Sequence, residues 1–273
     1  MKTRMKIDME SFKKNGYCIV KNVFSLEEIN EFRNLAYQTL EKDKKEGKGH
    51  QEVSKIKNVF YPKGDIMGKP LSKLLFSDKI LEIAGTVLGQ KPTYFGDSTY
   101  QVGTGDRGFH RDNVDRLTNI GEDWDGDYDI IRVAVYMQDH DQYSGGLKVI
   151  EGSHIGRGNK RKFIDSKAGD VVFWNLRIFH SGNGVRLKLF PNLVMGYRLE
   201  NNMPKFLIKD SEQERISCFF SFANEGSHLD RYINKYMKVK LLDHFKGFSN
   251  DKPSPEIAKK NVKILNVESF LDS

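Results

Sequence analysis

The alternation of hydrophobic and polar positions divides the chain into a helical first third and a β-rich region after it. An apolar run within residues 15–22 predicts a short strand. Ser25 and Glu28 form a capping box that starts a helix. Its apolar face consists of Ile29, Phe32, Leu35, Ala36 and Leu40. A second amphipathic helix is predicted over residues 70–88, and the charged residues 47–64 are expected to form a mobile connection.

Beyond residue 92 the pattern changes to short β-rich runs separated by glycines and polar turns. The predicted strands are residues 93–95, 130–137, 147–150, 170–174 and 216–222. Short strands without long helices between them favour an antiparallel sandwich or barrel over a βαβ fold. We therefore predict a mainly β fold with flanking helices (α+β), whose core is a jelly roll.

The chain is expected to form a single domain of three parts, which its length of 273 residues allows. N-terminal elements at about 10–90 pack on a core at about 91–225. Residues 226–273 are predicted to be a helical appendage, ended by Pro253 and Pro255. Its apolar face would comprise Leu229, Tyr232, Ile233 and Tyr236.

Composition narrows the class of protein. Charged residues make up 30% of the chain, and no apolar run approaches the roughly 20 residues that span a bilayer. The charged N-terminus lacks the apolar core of a signal peptide, so we expect a cytoplasmic protein with no membrane partner. Two cysteines, Cys18 and Cys218, are too few for a disulfide scaffold or a Cys-rich zinc site and are expected to be buried thiols.

The net charge of +7 bears on the partners of the protein. Lysines alternate with acids and form no basic block, so we expect no nucleic-acid partner. The excess positive charge favours an anionic small-molecule substrate. The oligomeric state is left open by the sequence.

The candidate chemistry begins at His110-Arg111-Asp112, which follows a strand region. In an extended chain, residues i and i+2 point the same way, so an imidazole and a carboxylate can bind one ion. A second copy of this spacing, His228-Leu229-Asp230, lies in a helical pattern, where i and i+2 are about 200° apart and cannot bind one ion. Context therefore selects the first copy.

His180 is the best candidate for a third ligand, because it stands between an apolar strand and a glycine-bearing turn. His140 and His154 compete for this role. His140 lies in a polar turn and is expected to face solvent, while His154 is expected to make structural hydrogen bonds. Two histidines and one carboxylate leave three open positions on Fe(II), as an oxygenase needs for a co-substrate and O₂.

The ordered set of motifs resembles the phytanoyl-CoA dioxygenase family. It comprises residues 15–20 (NGYCIV), 25–29 (SLEEI), His110-x-Asp112, 144–154 (SGGLKVIEGSH) and 169–182, and the resemblance covers about residues 10–225. It implies a double-stranded β-helix, Fe(II) bound by His110, Asp112 and His180, and oxidative decarboxylation of 2-oxoglutarate to succinate. Related halogenases carry a small residue in place of the carboxylate, so Asp112 implies a hydroxylase.

The resemblance also implies an arginine that binds the distal carboxylate of 2-oxoglutarate. The family's usual spacing falls on Pro191, which leaves Arg186 and Arg215. Arg215 opens an apolar strand, as the family's arginine does, so we favour it and interpret residues 184–212 as an insertion. The family's serine two residues after the second histidine is Gly182 here.

Three hypotheses for the function remain. The first is an Fe(II)- and 2-oxoglutarate-dependent hydroxylase of a small molecule, in which the polar residues 113–129 form a substrate lid or a disordered surface loop. The second is a metal-dependent isomerase or hydrolase on the same fold, which needs the three ligands without the arginine. The third is a non-catalytic binding module, against which the intact ligand set argues.

Overall fold

Two β-sheets form the centre of the fold. The structure, a computed structural model, describes residues 5–240 and 253–265. In chain order its strands are β1 Tyr17–Val20, β2 Gly49–Val53, β3 Asn58–Pro62, β4 Thr93–Thr104, β5 Ile130–Tyr136, β6 Lys148–Ile150, β7 Arg161–Phe163, β8 Val171–Asn175, β9 His180–Ser181, β10 Ile216–Ala223 and β11 Lys263–Ile264. The larger sheet has the order β1-β8-β5-β10-β4-β3-β2, with β11 paired to β4, and the smaller has the order β7-β6-β9. The β11–β4 pair is parallel and the other pairings are antiparallel.

Helices flank the sheets at both ends of the chain. They are α1 Met9–Asn15, α2 Leu26–Lys45, α3 Ser72–Leu75, α4 Asp78–Leu88, α5 Tyr197–Asn201, α6 Ser227–Arg231, α7 Lys238–Lys240 and α8 Pro255–Ala258. A π-helix, Tyr232–Met237, joins α6 to α7, and short 3₁₀ helices occur at Glu122–Trp124, Ser153–Ile155 and Lys205–Leu207. Within the described ranges, no helix has the length and apolarity to cross a bilayer.

The two faces of the larger sheet contact different parts of the protein, because successive side chains on a strand point to opposite faces. Val133 and Val135 of β5, with Cys218 and Phe220 of β10, join the apolar core beneath α2, α3 and α4. The alternate residues, such as Tyr136, face the space between the two sheets. The predicted mainly β jelly-roll fold with N-terminal helices is therefore confirmed, and its inner face is free to hold a site.

Most of the predicted elements are present. The strand predicted within residues 15–22 is β1, and the five strands predicted beyond residue 92 correspond to β4, β5, β6, β8 and β10. Ser25 accepts a hydrogen bond from the Glu28 backbone N–H, and Glu28 accepts one from the Ser25 N–H, which confirms the capping box. Both cysteines are free and buried, as predicted.

Two predictions for the first third of the chain are wrong. Residues 47–64 form the hairpin β2–β3 rather than a mobile connection, and β3 pairs with β4. The helix predicted over residues 70–88 is two helices, α3 and α4, because Ser77 caps a new N-terminus by accepting a hydrogen bond from the Ile80 N–H. Helix α1 is not predicted by the sequence pattern.

The helix formed by α6 and the π-helix, called the C-terminal helix below, packs on one end of the larger sheet. Leu229, Tyr232 and Ile233 are buried there with Phe95 and Ile130, as the predicted apolar face requires. The rest of the predicted appendage is only partly helical, since β11 joins the sheet through Thr93 and Tyr94 of β4. Residues 241–252 and 266–273 of the predicted appendage lie outside the described residues.

A long segment, residues 182–215, connects β9 to β10 and contains α5. Its anchor is an ion pair between Lys148 Nζ of β6 and Glu200 Oε2 of α5, which are 2.5 Å apart and fully buried. Arg107 Nη1 donates to the Glu200 carbonyl at 3.3 Å. These contacts fix the segment against the smaller sheet. The segment ends at Arg215, directly before β10.

Candidate metal centre

Backbone pairing brings the predicted ligands together. The His110 N–H donates to the His180 carbonyl at 2.9 Å, and the His180 N–H donates to the His110 carbonyl at 2.9 Å. Two residues further, the Asp112 N–H donates to the Leu176 carbonyl at 3.2 Å. Two chain segments far apart in sequence therefore run antiparallel, and the three side chains share one end of the barrel.

The side chains form a compact donor set. One ligand atom from each of His110, Asp112 and His180 lies within 4.8 Å of the others. The Nε2 atoms of His110 and His180 are 3.6 Å and 3.5 Å from the Asp112 carboxylate oxygens. Two imidazoles and one carboxylate match the ligand preference of non-haem Fe(II). In the described part of the chain, this is the one group of three such residues at metal-binding separation.

Hydrogen bonds determine which ring nitrogen can bind a metal. Nδ1 of His110 is 3.0 Å from the Gly108 carbonyl, and Nδ1 of His180 is 3.2 Å from the Ile178 carbonyl. A carbonyl can only accept, so each Nδ1 carries the proton. Each Nε2 is left with its lone pair, the arrangement usual for metal-bound histidine.

The protonation states also suit a metal. Burial, together with the His110 imidazole, lowers the pKa of His180 to about 4, so the ring is neutral at pH 7. Burial alone would raise the pKa of Asp112, but the neighbouring His180 and the Arg132 guanidinium outweigh it and lower that pKa to about 2. The site thus offers a neutral imidazole and an ionised carboxylate.

A buried network fixes the orientation of Asp112. Arg132 donates through Nη2 to Asp112 Oδ2 at 3.2 Å and through Nη1 to Asp97 Oδ1 at 3.0 Å. Asp97 Oδ2 in turn accepts from the hydroxyls of Ser221 at 2.7 Å and Tyr232 at 2.9 Å. The chain of contacts runs from Tyr232 on the C-terminal helix to Asp112.

Arg132 and Asp97 are not among the site residues predicted from the sequence. Arg132 itself was a signal of this network, because it lies inside the apolar run of β5. A charged side chain in such a place is buried only with a partner. In the larger sheet, Arg132 of β5 is paired with Trp174 of β8 and with Ser221 of β10.

The donor set opens onto a cavity of about 430 Å³. Its wall includes His110, Asp112 and His180, and also Arg132, Tyr136, Trp174, Gly182, Phe219 and Arg215. Three buried polar atoms of this wall have no hydrogen-bond partner in the described residues: Arg215 Nη2, Tyr136 Oη and Trp174 Nε1. Unpartnered buried donors are costly, so a polar ligand in this cavity, beside the three candidate ligands, would stabilise them.

The two candidate arginines have different surroundings. Arg215 Nε donates to the Gly145 carbonyl at 2.8 Å, and its Nη1 lies 3.3 Å from the Gly103 carbonyl, which leaves Nη2 for the cavity. Arg186 is saturated elsewhere: Nη2 donates to Asp165 at 2.5 Å and Nη1 to the Pro191 carbonyl at 3.1 Å.

The remaining histidines lie apart from the donor set. The prediction that His140 faces solvent is wrong, because it is 1% exposed and its Nδ1 is 3.2 Å from the Ser144 carbonyl. His154 makes the expected structural contact, with Nε2 3.0 Å from the Lys13 carbonyl. His228 lies on α6 as predicted, and its Nδ1 is 3.0 Å from Asp129.

The loop of residues 113–129 is held by the C-terminal helix. Arg231 Nη1 contacts Asp115 at 3.1 Å and Asp123 at 2.6 Å. Arg116 Cζ lies 5.3 Å from the ring centroid of Tyr236, a residue of the cavity wall. The loop is therefore ordered beside the cavity, and its role as a lid stays a prediction.

Fold and site together define the class of protein, a double-stranded β-helix oxygenase that depends on iron and 2-oxoglutarate. The profile of the phytanoyl-CoA dioxygenase (PhyH) family matches residues 12–186, well over half of the chain. The chain belongs to this family. A comparison with curated protein sequences gave no match.

Solved structures show the same fold at low sequence identity. The 2-oxoglutarate-dependent epimerase SnoN of nogalamycin biosynthesis is 16% identical, with a TM-score of 0.57 over 79% of this chain and 81% of its own. HygX from Streptomyces hygroscopicus, solved with nickel and 2-oxoglutarate, is 14% identical, with a TM-score of 0.53 over 80% and 87%. EctD from S. alaskensis, solved with 2-oxoglutarate and 5-hydroxyectoine, is 15% identical, with a TM-score of 0.52 over 79% and 74%.

Replacing Arg132 by Met tests the network around Asp112. The change leaves two buried carboxylates without their cation, which we expect to destabilise the metal-free protein by about 3–5 kcal/mol. Thermal unfolding without metal measures this loss. Added Fe(II), kept anaerobic, should raise the melting temperature of the variant more than that of the wild type, because the ion replaces part of the lost charge. An unchanged melting temperature in the metal-free variant would show that the network does not stabilise the fold.

Proposed function

We propose that this oxygenase hydroxylates a small-molecule substrate, with iron held by His110, Asp112 and His180 and 2-oxoglutarate anchored by Arg215. One observation carries the proposal: the unpartnered Nη2 of a buried arginine lines the same cavity as the three ligands. A metal-dependent isomerase or hydrolase would need the three ligands but no arginine anchor, and the intact ligand set argues against a non-catalytic binding module.

Each side chain has a distinct role in this scheme. The two Nε2 atoms and the Asp112 carboxylate would hold the metal. Arg132 holds Asp112 Oδ2 and so orients the carboxylate. Arg215 would donate to the distal carboxylate of 2-oxoglutarate through Nη2, the guanidinium nitrogen that its contacts with the Gly145 and Gly103 carbonyls leave unpartnered. When bound, iron and 2-oxoglutarate supply the oxidation: O₂ is consumed, 2-oxoglutarate becomes succinate and CO₂, and one oxygen atom enters a C–H bond of the substrate.

The substrate would reach the metal from the side of His110. Its side chain is 53% exposed, whereas those of Asp112 and His180 are 12% and 6% exposed. The net charge of +7 supports an anionic substrate, because a positive surface attracts anions during encounter.

Hydroxylation has to be distinguished from other outcomes of the same chemistry, since the structural neighbours include an epimerase, SnoN, and a carbocyclase, SnoK. We expect succinate release to rise with the true substrate in a panel of metabolites. Turnover under ¹⁸O₂ should then leave one ¹⁸O atom in the product, measured by mass spectrometry. A product of unchanged mass would identify an epimerase, and a product two hydrogen atoms lighter a cyclase or desaturase.

The metal ligands are tested by anaerobic titration of the Fe(II) protein with 2-oxoglutarate. Chelation by the co-substrate gives a weak visible charge-transfer band, which we expect in the wild type. His110→Ala and His180→Ala should lose the band and most of the bound iron, because each removes one of three protein ligands. His228→Ala is the matched control and should retain both. Full iron content in either of the first two variants would remove that histidine from the site.

The arginine anchor is tested by comparing Arg215→Ala with Arg186→Ala. Losing a charge-assisted contact in a buried pocket should cost about 2–4 kcal/mol of 2-oxoglutarate affinity. That corresponds to a rise of roughly 30- to 1,000-fold in the KM for 2-oxoglutarate. Arg215→Lys should recover part of the loss through its charge. Arg186→Ala should stay within a few-fold of wild type, and the reverse result would make Arg186 the anchor and the insertion at 184–212 a wrong interpretation.

A further inference from the structure

Part of the segment that joins β9 to β10 forms a loop closed at its base. The Lys188 N–H donates to the Leu207 carbonyl at 2.9 Å, and Leu187 pairs with Ile208 in an antiparallel bridge. The residues between these contacts, called the 188–207 loop below, contain α5. The base of the loop is thus held by backbone hydrogen bonds.

The inner side of the 188–207 loop is packed against the protein. Glu200 of α5 is fully buried in its ion pair with Lys148. Further along the loop, the Leu193 N–H donates to the Phe190 carbonyl at 3.1 Å and closes a turn. These contacts hold the backbone from which the outer side chains of the loop project.

The outer side of the 188–207 loop is apolar. In the described residues twelve large apolar side chains are exposed, and half of them belong to this loop. These six residues, called the apolar patch below, are Leu189, Phe190, Leu193, Tyr197, Leu199 and Phe206. Single exposed apolar residues are normal on a protein surface, but a group of them marks a binding surface.

The exposed charges of the 188–207 loop are all positive. Its one acid, Glu200, is buried in an ion pair. Arg161 of β7 is close to the loop, since a Cβ atom built on Gly196 would lie 3.9 Å from Arg161 Nη1. The exposed carboxylate of Asp165, which follows β7, is paired with Arg186. The exposed cations within the loop are Lys188, Arg198 and Lys205.

This combination of apolar and cationic side chains limits what can cover the surface. A second copy of the chain would meet the same residues across a two-fold axis, which would place cations against cations. A protein partner holds its apolar anchors in well-packed pockets. Leu189, Phe190 and Phe206 instead project from the surface, with exposures of 78%, 62% and 72%.

The surface of an anionic bilayer fits these features better. Projecting apolar side chains enter the boundary between headgroups and acyl chains, which needs no matching pocket. Lysine and arginine side chains beside them are attracted to the anionic headgroups.

We propose that the 188–207 loop docks the protein on the surface of an anionic phospholipid bilayer, with the apolar patch among the headgroups and its cations on the lipid phosphates. The expectation of no membrane partner rested on the lack of an apolar run that could span a bilayer. A protein that lies on the membrane surface needs no such run.

The docking surface lies on the side of His110. Arg107 Nη1 donates to the carbonyl of Glu200 in α5 at 3.3 Å. Arg161 Cζ, next to the loop, lies 5.6 Å from the ring centroid of Phe109, which directly precedes His110. Docking would therefore bring the exposed side of the candidate metal centre close to the bilayer.

Binding of the whole chain to vesicles tests the proposal. Sedimentation with increasing lipid measures the bound fraction on phosphatidylcholine vesicles and on vesicles that also contain phosphatidylglycerol. We expect binding to the mixed vesicles and little binding to phosphatidylcholine alone. Added salt should weaken binding to the mixed vesicles, because it screens the attraction between the cations and the headgroups.

The apolar patch is tested by the double variant Phe190→Ser/Phe206→Ser. Loss of two projecting rings should weaken binding to the mixed vesicles by roughly 10-fold or more, because apolar area is no longer buried in the bilayer. Leu26→Ser is the control, since Leu26 is also exposed but begins α2. It should bind as the wild type does, and the melting temperatures of both variants should stay near that of the wild type.

The cations are tested by Arg198→Gln/Lys205→Gln. Each cation near an anionic membrane contributes to affinity, so we expect binding to fall by roughly 10- to 30-fold. The control Lys42→Gln/Lys45→Gln removes the same charge from the exposed end of α2 and should change binding by less than about three-fold.

Three results would overturn the proposal. The first is no binding of the wild type to the mixed vesicles. The second is an equal loss of binding in the patch variants and their controls, because the net charge of the protein would then account for the attraction. The third is a wild type that sediments as a dimer while Phe190→Ser/Phe206→Ser sediments as a monomer, which would make the apolar patch an interface between two copies.

Discussion

The buried charge of Asp112 constrains the inner face of this barrel. An ionised carboxylate in such a place costs several kcal/mol unless a cation compensates it. Arg132 supplies that cation, but it is shared with Asp97, so two carboxylates face one guanidinium. The cluster therefore retains an excess negative charge on the side of the two histidines. That excess favours a metal cation where the imidazole lone pairs converge.

The three ligand candidates could be found in the sequence because their signals are local. His110 and Asp112 share a face in any extended chain, and His180 follows an apolar strand at a turn. Asp97, Arg132 and Tyr232 could not be grouped in this way. Their contacts depend on the β4–β10–β5 register and on how the C-terminal helix docks, and no spacing along the chain encodes either.

Strands with a regular apolar pattern could be predicted from the sequence. Residues whose burial depends on contacts with segments distant in the chain could not. Continuous or alternating apolar residues predict the strands β5, β8 and β10. No such pattern marks β2, because it lies at the sheet edge and exposes most of its side chains. His140 sits in a polar turn, a pattern typical of a surface residue, yet it is 1% exposed in the structure, where its neighbour Gly145 donates to the Gly184 carbonyl of the segment of residues 182–215.

The hydroxyl of Tyr232 has a thermodynamic consequence. It ties the C-terminal helix to Asp97 and through Arg132 to Asp112, so helix docking and carboxylate orientation form one linked equilibrium. Linkage is reciprocal. If docking of the helix increases metal affinity by some free energy, metal binding stabilises the docked helix by the same free energy. The π-helix that begins at this tyrosine, a form common at functional sites, lies at the junction. The helix that contains Tyr232 is thus thermodynamically linked to metal binding at the candidate centre.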